Sequence, residues 1–277
     1  MPATFIHPCF RKAVNTMLFI TVVAVSLFSP LFNQHIIIRL VIILLSVLMT
    51  IILYFTNYKA FVSALFFAIN AVSSPFILHI INKYQLYIPQ IYFLIPIIIY
   101  LILILTIRKL KQEIAWLKWG KIDKSTFLIM AVMIIITAIS LFVWAYFFKA
   151  DITEKFRKLI PDIPFILLIL YGISFPVFNS FFEEFISRAV LYDGFSGIFS
   201  HIACVIIFQA AIFALWHYNG FPGGVSGVCM VFFWSVFLGI IRYKSKGMLA
   251  PLVAHFFADL TIAVILLFFI ILPGKIG

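Results

Sequence analysis

Charge is what this chain has least of. Only 10% of its 277 residues are Asp, Glu, Lys or Arg, while 65% are hydrophobic. Soluble domains carry roughly a quarter charged residues and about half apolar ones. The apolar excess runs along the whole length, so it is not one anchor on a soluble body, and a bilayer supplies the solvent that such a composition requires. Cysteine is scarce as well. Cys9, Cys204 and Cys229 are odd in number and far apart, which argues against a disulfide framework or a Cys-based metal site; they read as small buried hydrophobes. Internal repeats, low-complexity linkers and any stretch polar enough for a separate soluble domain are all missing. A cleavable leader is not expected either. Arg11 and Lys12 precede an apolar run from about Val14 to Phe32, but the run is long for a signal peptide and lacks a small-x-small site before Asn33, so it reads as a retained first helix.

What is present is a series of apolar runs of membrane-spanning length, each near the ~20 residues that a span needs. They lie at 14–32, 37–54, 60–82, 87–107, 126–148, 163–191, 199–217, 226–241 and 249–272. The expected fold class is therefore an all-α polytopic membrane protein with eight to nine transmembrane helices. The connections Arg108–Ser125 and Lys149–Asp162 are charged and amphipathic, as expected of segments at the membrane surface. Trp116 and Trp119 beside Lys118 and Lys121 suit a helix at headgroup level. The net charge of +11 sits between apolar runs, where it meets anionic lipid rather than nucleic acid. Lys and Arg concentrate at 11–12, 59, 108–124 and 242–246, which the positive-inside rule puts in the cytoplasm together with the N-terminus. Ile-, Phe- and Lys-rich usage suggests a bacterial plasma membrane.

Ionisable groups inside a bilayer are costly and call for a reason. Most of the runs have no carboxylate, and the exceptions fall in the last four. Glu183 and Glu184 are adjacent, so on a helix they point about 100° apart. Glu184 and Arg188 are four residues apart and face each other, which leaves Glu183 with no local cation. Asn179, Ser180 and Ser187 make its helical face polar, and Pro176 upstream cannot donate to the carbonyl of Gly172. His217 ends the run Phe213-Ala214-Leu215-Trp216, with Gln209 eight residues before it on the same face. His255 and Asp259 are one turn apart in a run that is otherwise apolar. Each group has a plainer explanation: carboxylates at headgroup level, an interfacial histidine, a self-satisfied His–Asp hydrogen bond. Together they make what hydrolysis inside a membrane requires, a carboxylate to take a proton from water, histidines to relay it, and polar groups to hold an anionic intermediate.

These residues also resemble a known family. Glu183-Glu184-x-x-x-Arg188, Phe213-x-x-x-His217 and His255-x-x-x-Asp259, each on an apolar helix, look like the three ordered motifs of the CAAX protease and bacteriocin-processing (Abi) family, which includes the type II CAAX prenyl endopeptidases. The resemblance covers roughly Pro164 to Leu272. It implies that Glu183 activates water, that His217 positions or deprotonates it, that Glu184 and Arg188 hold the site together, and that His255 and residue 259 face the oxyanion. Relatives often carry Asn at this last position; Asp259 cannot donate a hydrogen bond when ionised, and its alternatives are to orient His255 or to be held protonated by burial.

The expected activity is intramembrane endoproteolysis of a membrane-associated peptide, a prenylated tail or a leader peptide. Residues 1–150 would form an N-terminal set of helices with an interfacial segment, and 160–273 the catalytic core. No cofactor is expected, in part because HExxH is absent. The rival arrangement has zinc or another divalent ion on Glu183, His217, His255 and Asp259, all plausible ligands. Two other functions compete: a non-catalytic immunity or maturation factor on the same scaffold, and a small proton-coupled transporter. A transporter usually shows repeated halves, whereas carboxylates within the apolar runs occur here only in the second half.

One difficulty follows from helix lengths. A helix climbs about 1.5 Å per residue, so a span ending at His217 would carry that side chain well away from Glu183 and His255. The three meet only if the stretch from Asp193 to His201 lies outside the bilayer or the last helix begins earlier.

Overall fold

The computed structural model describes residues 8–28, 30, 35–84, 91–148 and 164–271. The interfacial segment expected at Lys149–Asp162 lies outside them. All regular structure among the described residues is helical. In order these are α1 (Pro8–Phe28), α2 (Ile36–Thr56), α3 (Tyr58–Tyr84), α4 (Ile91–Thr106), α5 (Arg108–Glu113), α6 (Lys124–Phe147) and α7 (Phe165–Glu184). A π-helix (Phe185–Leu191) then leads into α8 (Tyr192–Ile198), followed by α9 (Ile202–Trp216), a 3-10 turn (His217–Asn219), α10 (Gly224–Ser245), α11 (Leu249–Leu266) and a second π-helix (Leu267–Ile271).

Among the described residues, eight helical runs are long and apolar enough to cross a membrane, and Tyr92–Thr106 is a shorter apolar helix. The chain is an all-α polytopic membrane protein. Its surface shows the same thing residue by residue. Phe55, Met17, Tyr146 and Phe147 are more than 70% exposed, an arrangement that water would penalise and acyl chains accept. Cys9 and Cys229 are also exposed and none of the three cysteines is in a disulfide, so these two thiols are not the buried hydrophobes expected. In a bilayer, an apolar residue gains nothing by facing inward.

The helices gather into two compact units. One comprises the chain up to Trp116 together with Ala189–Phe208. Its interior is aromatic: Phe19 meets Phe67 and Phe195 edge-on, with Phe66 against Tyr100. A Cβ on Gly194 would lie 2.2 Å from the Phe19 ring, so only glycine lets α8 approach α1 there. Asp193 accepts the Ala115 N–H at 2.6 Å.

The second unit comprises Leu117–Arg188 and the chain from Gln209 onward. In it α11 packs against α6, with Met130, Met133, Leu238, Ile241, Ala250 and Ala254 forming one buried cluster. Residues 114–123 do not make the headgroup-level helix expected around Trp116 and Trp119. Trp116 is buried, Trp119 is exposed, and the strip pairs instead with the turn before α11. Lys121 N donates to Ser245 O, Met248 N to Lys118 O, and Leu249 N to Trp119 O. Gly120, at φ +82°, and Gly247 make this clip possible, because a Cβ on Gly247 would sit 2.1 Å from Gly120 N. Two glycine backbones in contact satisfy donors and acceptors that a surface helix would have left to water. Asp123 then caps α6 by accepting the Thr126 N–H at 2.7 Å, which holds its carboxyl below the usual carboxylate range.

Candidate active site

Glu183 and Glu184 end α7 at the point where the helix widens into the π-helix Phe185–Leu191. A π-turn adds a residue per turn and so resets which side chains face the bundle. Pro176 is accommodated within α7, and Ser180 Oγ donates to its carbonyl at 2.6 Å.

Glu184 and Arg188 form a fully buried ion pair, Nη1 to Oε1 at 2.9 Å. Arg188 is further fixed by donating from Nη2 to Ser235 Oγ at 2.9 Å. Its guanidinium lies 4.7 Å from the Phe213 ring centroid and 5.6 Å from that of Trp234, close enough for cation–π attraction. Its carbonyl accepts from Arg242 Nε, and Gln209 Nε2 donates to the Ser235 carbonyl at 3.1 Å. A buried guanidinium needs this much partnership to exist at all.

Glu184 has a second task that sequence reasoning did not assign. Its Oε1 lies 2.7 Å from His255 Nδ1. A carboxylate paired with Arg188 accepts, so His255 donates from Nδ1 and turns Nε2 toward the other carboxylates. Nε2 lies 3.4 Å from Glu183 Oε2 and 3.6 Å from Asp259 Oδ2. Trp234 stands edge-on to the imidazole at 4.6 Å and keeps the ring in this plane.

His217 sits just past the end of α9, in the 3-10 turn. Its Nδ1 is 2.9 Å from the Phe213 carbonyl oxygen. A carbonyl only accepts, so Nδ1 carries the hydrogen and Nε2 faces Glu183 Oε2 at 3.4 Å. One oxygen of Glu183 is thus addressed by the Nε2 atoms of two histidines, each anchored through its other nitrogen. Glu183 and His217 keep 17% and 14% of their side-chain surface, against 3% for His255, so the site opens on the Glu183–His217 side.

Asp259 accepts from Asn179 Nδ2 at 3.2 Å, and both side chains are buried. Asn179 had been legible only as one polar residue on the face of Glu183. Ser235 and Trp234 had no signal in sequence, since a serine or a tryptophan in an apolar helix is ordinary.

The depth difficulty disappears with the helix boundaries. The helical run expected to end at 191 continues to Ile198. His217 Nε2 lies 3.4 Å from Glu183 Oε2, so the two side chains stand at one level.

Glu183, His217, His255 and Asp259 are all suitable zinc donors by chemistry. Among the described residues, however, no group of three or more His, Cys, Asp or Glu side chains is arranged to hold a metal ion.

Residues 164–261 match the family model described as Rce1-like, type II CAAX prenyl endopeptidase. Comparisons with curated proteins and with solved structures gave no match.

Proposed function

We propose, on the premise that residues 164–261 belong to the Rce1-like family of type II CAAX prenyl endopeptidases, that this chain is an intramembrane endopeptidase in which Glu183 activates the attacking water. The observation that carries this reading is the approach of two histidine Nε2 atoms to one Glu183 oxygen, at 3.4 Å each, inside an apolar bundle. Such distances are long for direct hydrogen bonds, as is common where a site tightens only around its substrate.

The steps follow from which atoms carry hydrogen. A water held beside Glu183 Oε2 and His217 Nε2 gives its proton to the carboxylate. Its oxygen attacks the scissile carbonyl carbon, and the carbonyl electrons move onto oxygen. Protonated His255, anchored from behind by Glu184, faces that oxyanion with its Nε2–H. Glu183, now the acid, returns the proton to the leaving amine as the carbonyl reforms. Charge supports a protonated His255: Glu183, Glu184 and Asp259 all have a carboxylate oxygen within 3.6 Å of its imidazole, and the Arg188 guanidinium pairs with Glu184 alone. Asp259 accepts from Asn179, so its part is to orient His255 rather than to donate to the oxyanion.

The substrate class is a membrane-associated peptide, with a prenylated tail or a leader peptide as the forms to test. The exposed edge at Glu183 and His217 is where its backbone enters. Glu183→Gln keeps the shape and removes the base, so single-turnover cleavage of a quenched peptide by the purified protein should fall by about 10²–10⁴, with an unchanged melting temperature. Full activity in that variant, or no turnover by the parent across prenylated and leader peptides, would sink the reading in favour of a non-catalytic role.

A further inference from the structure

Two aromatic rings, Phe213 of α9 and Trp234 of α10, touch most of the cationic and imidazole groups gathered around Glu183. Phe213 is fully buried. It belongs to an apolar cluster with Ala214 and Val231, and Trp234 packs against that cluster. A phenylalanine in such a place ordinarily fills space. Its neighbours here are charged or polar. The Arg188 guanidinium lies over its ring, 4.7 Å from the centroid. The His217 imidazole is 4.3 Å away and tilted by 47°, and the His255 imidazole is 6.2 Å away at 88°. One ring therefore meets the guanidinium and both imidazoles that address Glu183. Residue 213 also grips His217 a second time, because its carbonyl oxygen accepts from Nδ1 at 2.9 Å.

Trp234 repeats the pattern from α10. Its ring is 6.1 Å from that of Phe213, 5.6 Å from the Arg188 guanidinium and 4.6 Å from the His255 imidazole at 87°. An aromatic face carries partial negative charge, so it attracts a cation within about 6 Å of its centroid, more strongly where water is excluded. Edge-to-face contact is a favoured geometry for a second ring. Leucines could occupy much of this space but would offer the guanidinium nothing. The rings matter because Glu184 is doubly engaged: its Oε1 serves both Arg188 and His255 Nδ1. Aromatic faces hold Arg188 without drawing on that oxygen, and so leave it aimed at His255.

We infer that Phe213 and Trp234 are positioning residues, an aromatic clamp that holds Arg188 by its charge and turns the His217 and His255 imidazoles toward Glu183. Their effect on turnover rests on the endopeptidase reading; their hold on Arg188 rests on the contacts alone.

The test therefore has two readouts, both on the full chain in detergent. The first is thermal unfolding with mono-, di- and trifluorinated phenylalanine incorporated at position 213. Fluorine keeps the ring's shape and apolar character but draws electron density from its face, so the melting temperature should fall stepwise with each fluorine. A flat series would show that Phe213 only fills space and would overturn the clamp. The second readout is peptide cleavage by Trp234→Leu and Trp234→Phe, both smaller than tryptophan, of which only the second keeps a ring. Trp234→Leu should lower kcat about tenfold with little change in KM, and Trp234→Phe should recover most of that loss. Equal loss in the two variants would overturn the positioning role, and this pair decides the matter if the fluorinated proteins do not fold. If the parent cleaves no peptide, the endopeptidase reading fails by itself and the melting series still decides the clamp.

Discussion

Glu184 shows how much a single side chain does in a medium that offers it no water. Its Oε1 pairs with Arg188 at 2.9 Å and receives His255 Nδ1 at 2.7 Å, so one oxygen joins the helix that carries Glu183 to the helix that carries His255. Removing Arg188 would strand a buried charge. Arg188→Ala should cost about 3–5 kcal/mol, read as a lower unfolding midpoint in detergent, and should lower activity with it. Normal stability with full activity would show that the pair is dispensable. Asn179 acts more locally. A hydrogen bond to a charged acceptor contributes roughly 1.5–3 kcal/mol, so Asn179→Ala should release Asp259 and lower kcat about 10- to 100-fold. KM should change little and the melting temperature should fall with the lost hydrogen bond; a rise in KM alone would place Asn179 in substrate binding instead.

At the scale of helices, the decisive features are a π-turn and a glycine clip. The π-helix after Glu184 allows the helical run to continue to Ile198 while turning its later residues to a new face. The clip holds the start of α11, and with it His255 six residues further on, against the strip that precedes α6. Gly247→Ala would drive a methyl group into Gly120. It should cost about 1–3 kcal/mol, the range for overpacking, and be felt at His255 as reduced turnover although the substitution is remote from it. Thermal unfolding beside peptide cleavage measures both; an unaffected protein would mean that the strip is free to withdraw.

For the molecule as a whole, the question is whether the protein alone performs the chemistry. If Glu183 takes the proton directly, elemental analysis of active protein should find zinc far below one per chain, and EDTA or phenanthroline should leave cleavage nearly unchanged. Near-stoichiometric zinc with inhibition reversed by adding the ion would replace the mechanism while leaving the same residues at its centre. The donor chemistry of Glu183 and the two histidines makes this a fair contest.

The number and type of elements were readable without coordinates, because an apolar run of about 20 residues has few structural options in a membrane. The expected runs at 37–54 and 126–148 differ from the observed Ile36–Thr56 and Lys124–Phe147 by only a residue or two at each end. The Glu184–Arg188 pair followed from helical spacing alone, and Glu183, His217, His255 and Asp259 stood out as polar groups in apolar surroundings. Spacing could not foresee what depends on contact between distant segments. His255 turning its Nδ1 to Glu184, Ser235 receiving Arg188, and Asn179 reaching Asp259 are bonds across 71, 47 and 80 residues. The run through 191 also hid its true length, since Tyr192–Ile198 contains Asp193, Gly194 and Gly197 and reads as a break. Only packing turns those residues into helix: Gly194 fits against Phe19 and Asp193 accepts a backbone N–H from residue 115. Composition decided that the chain lies in a bilayer, whereas the depth at which Glu183 meets His217 was decided by where the helices end, which tertiary contacts set.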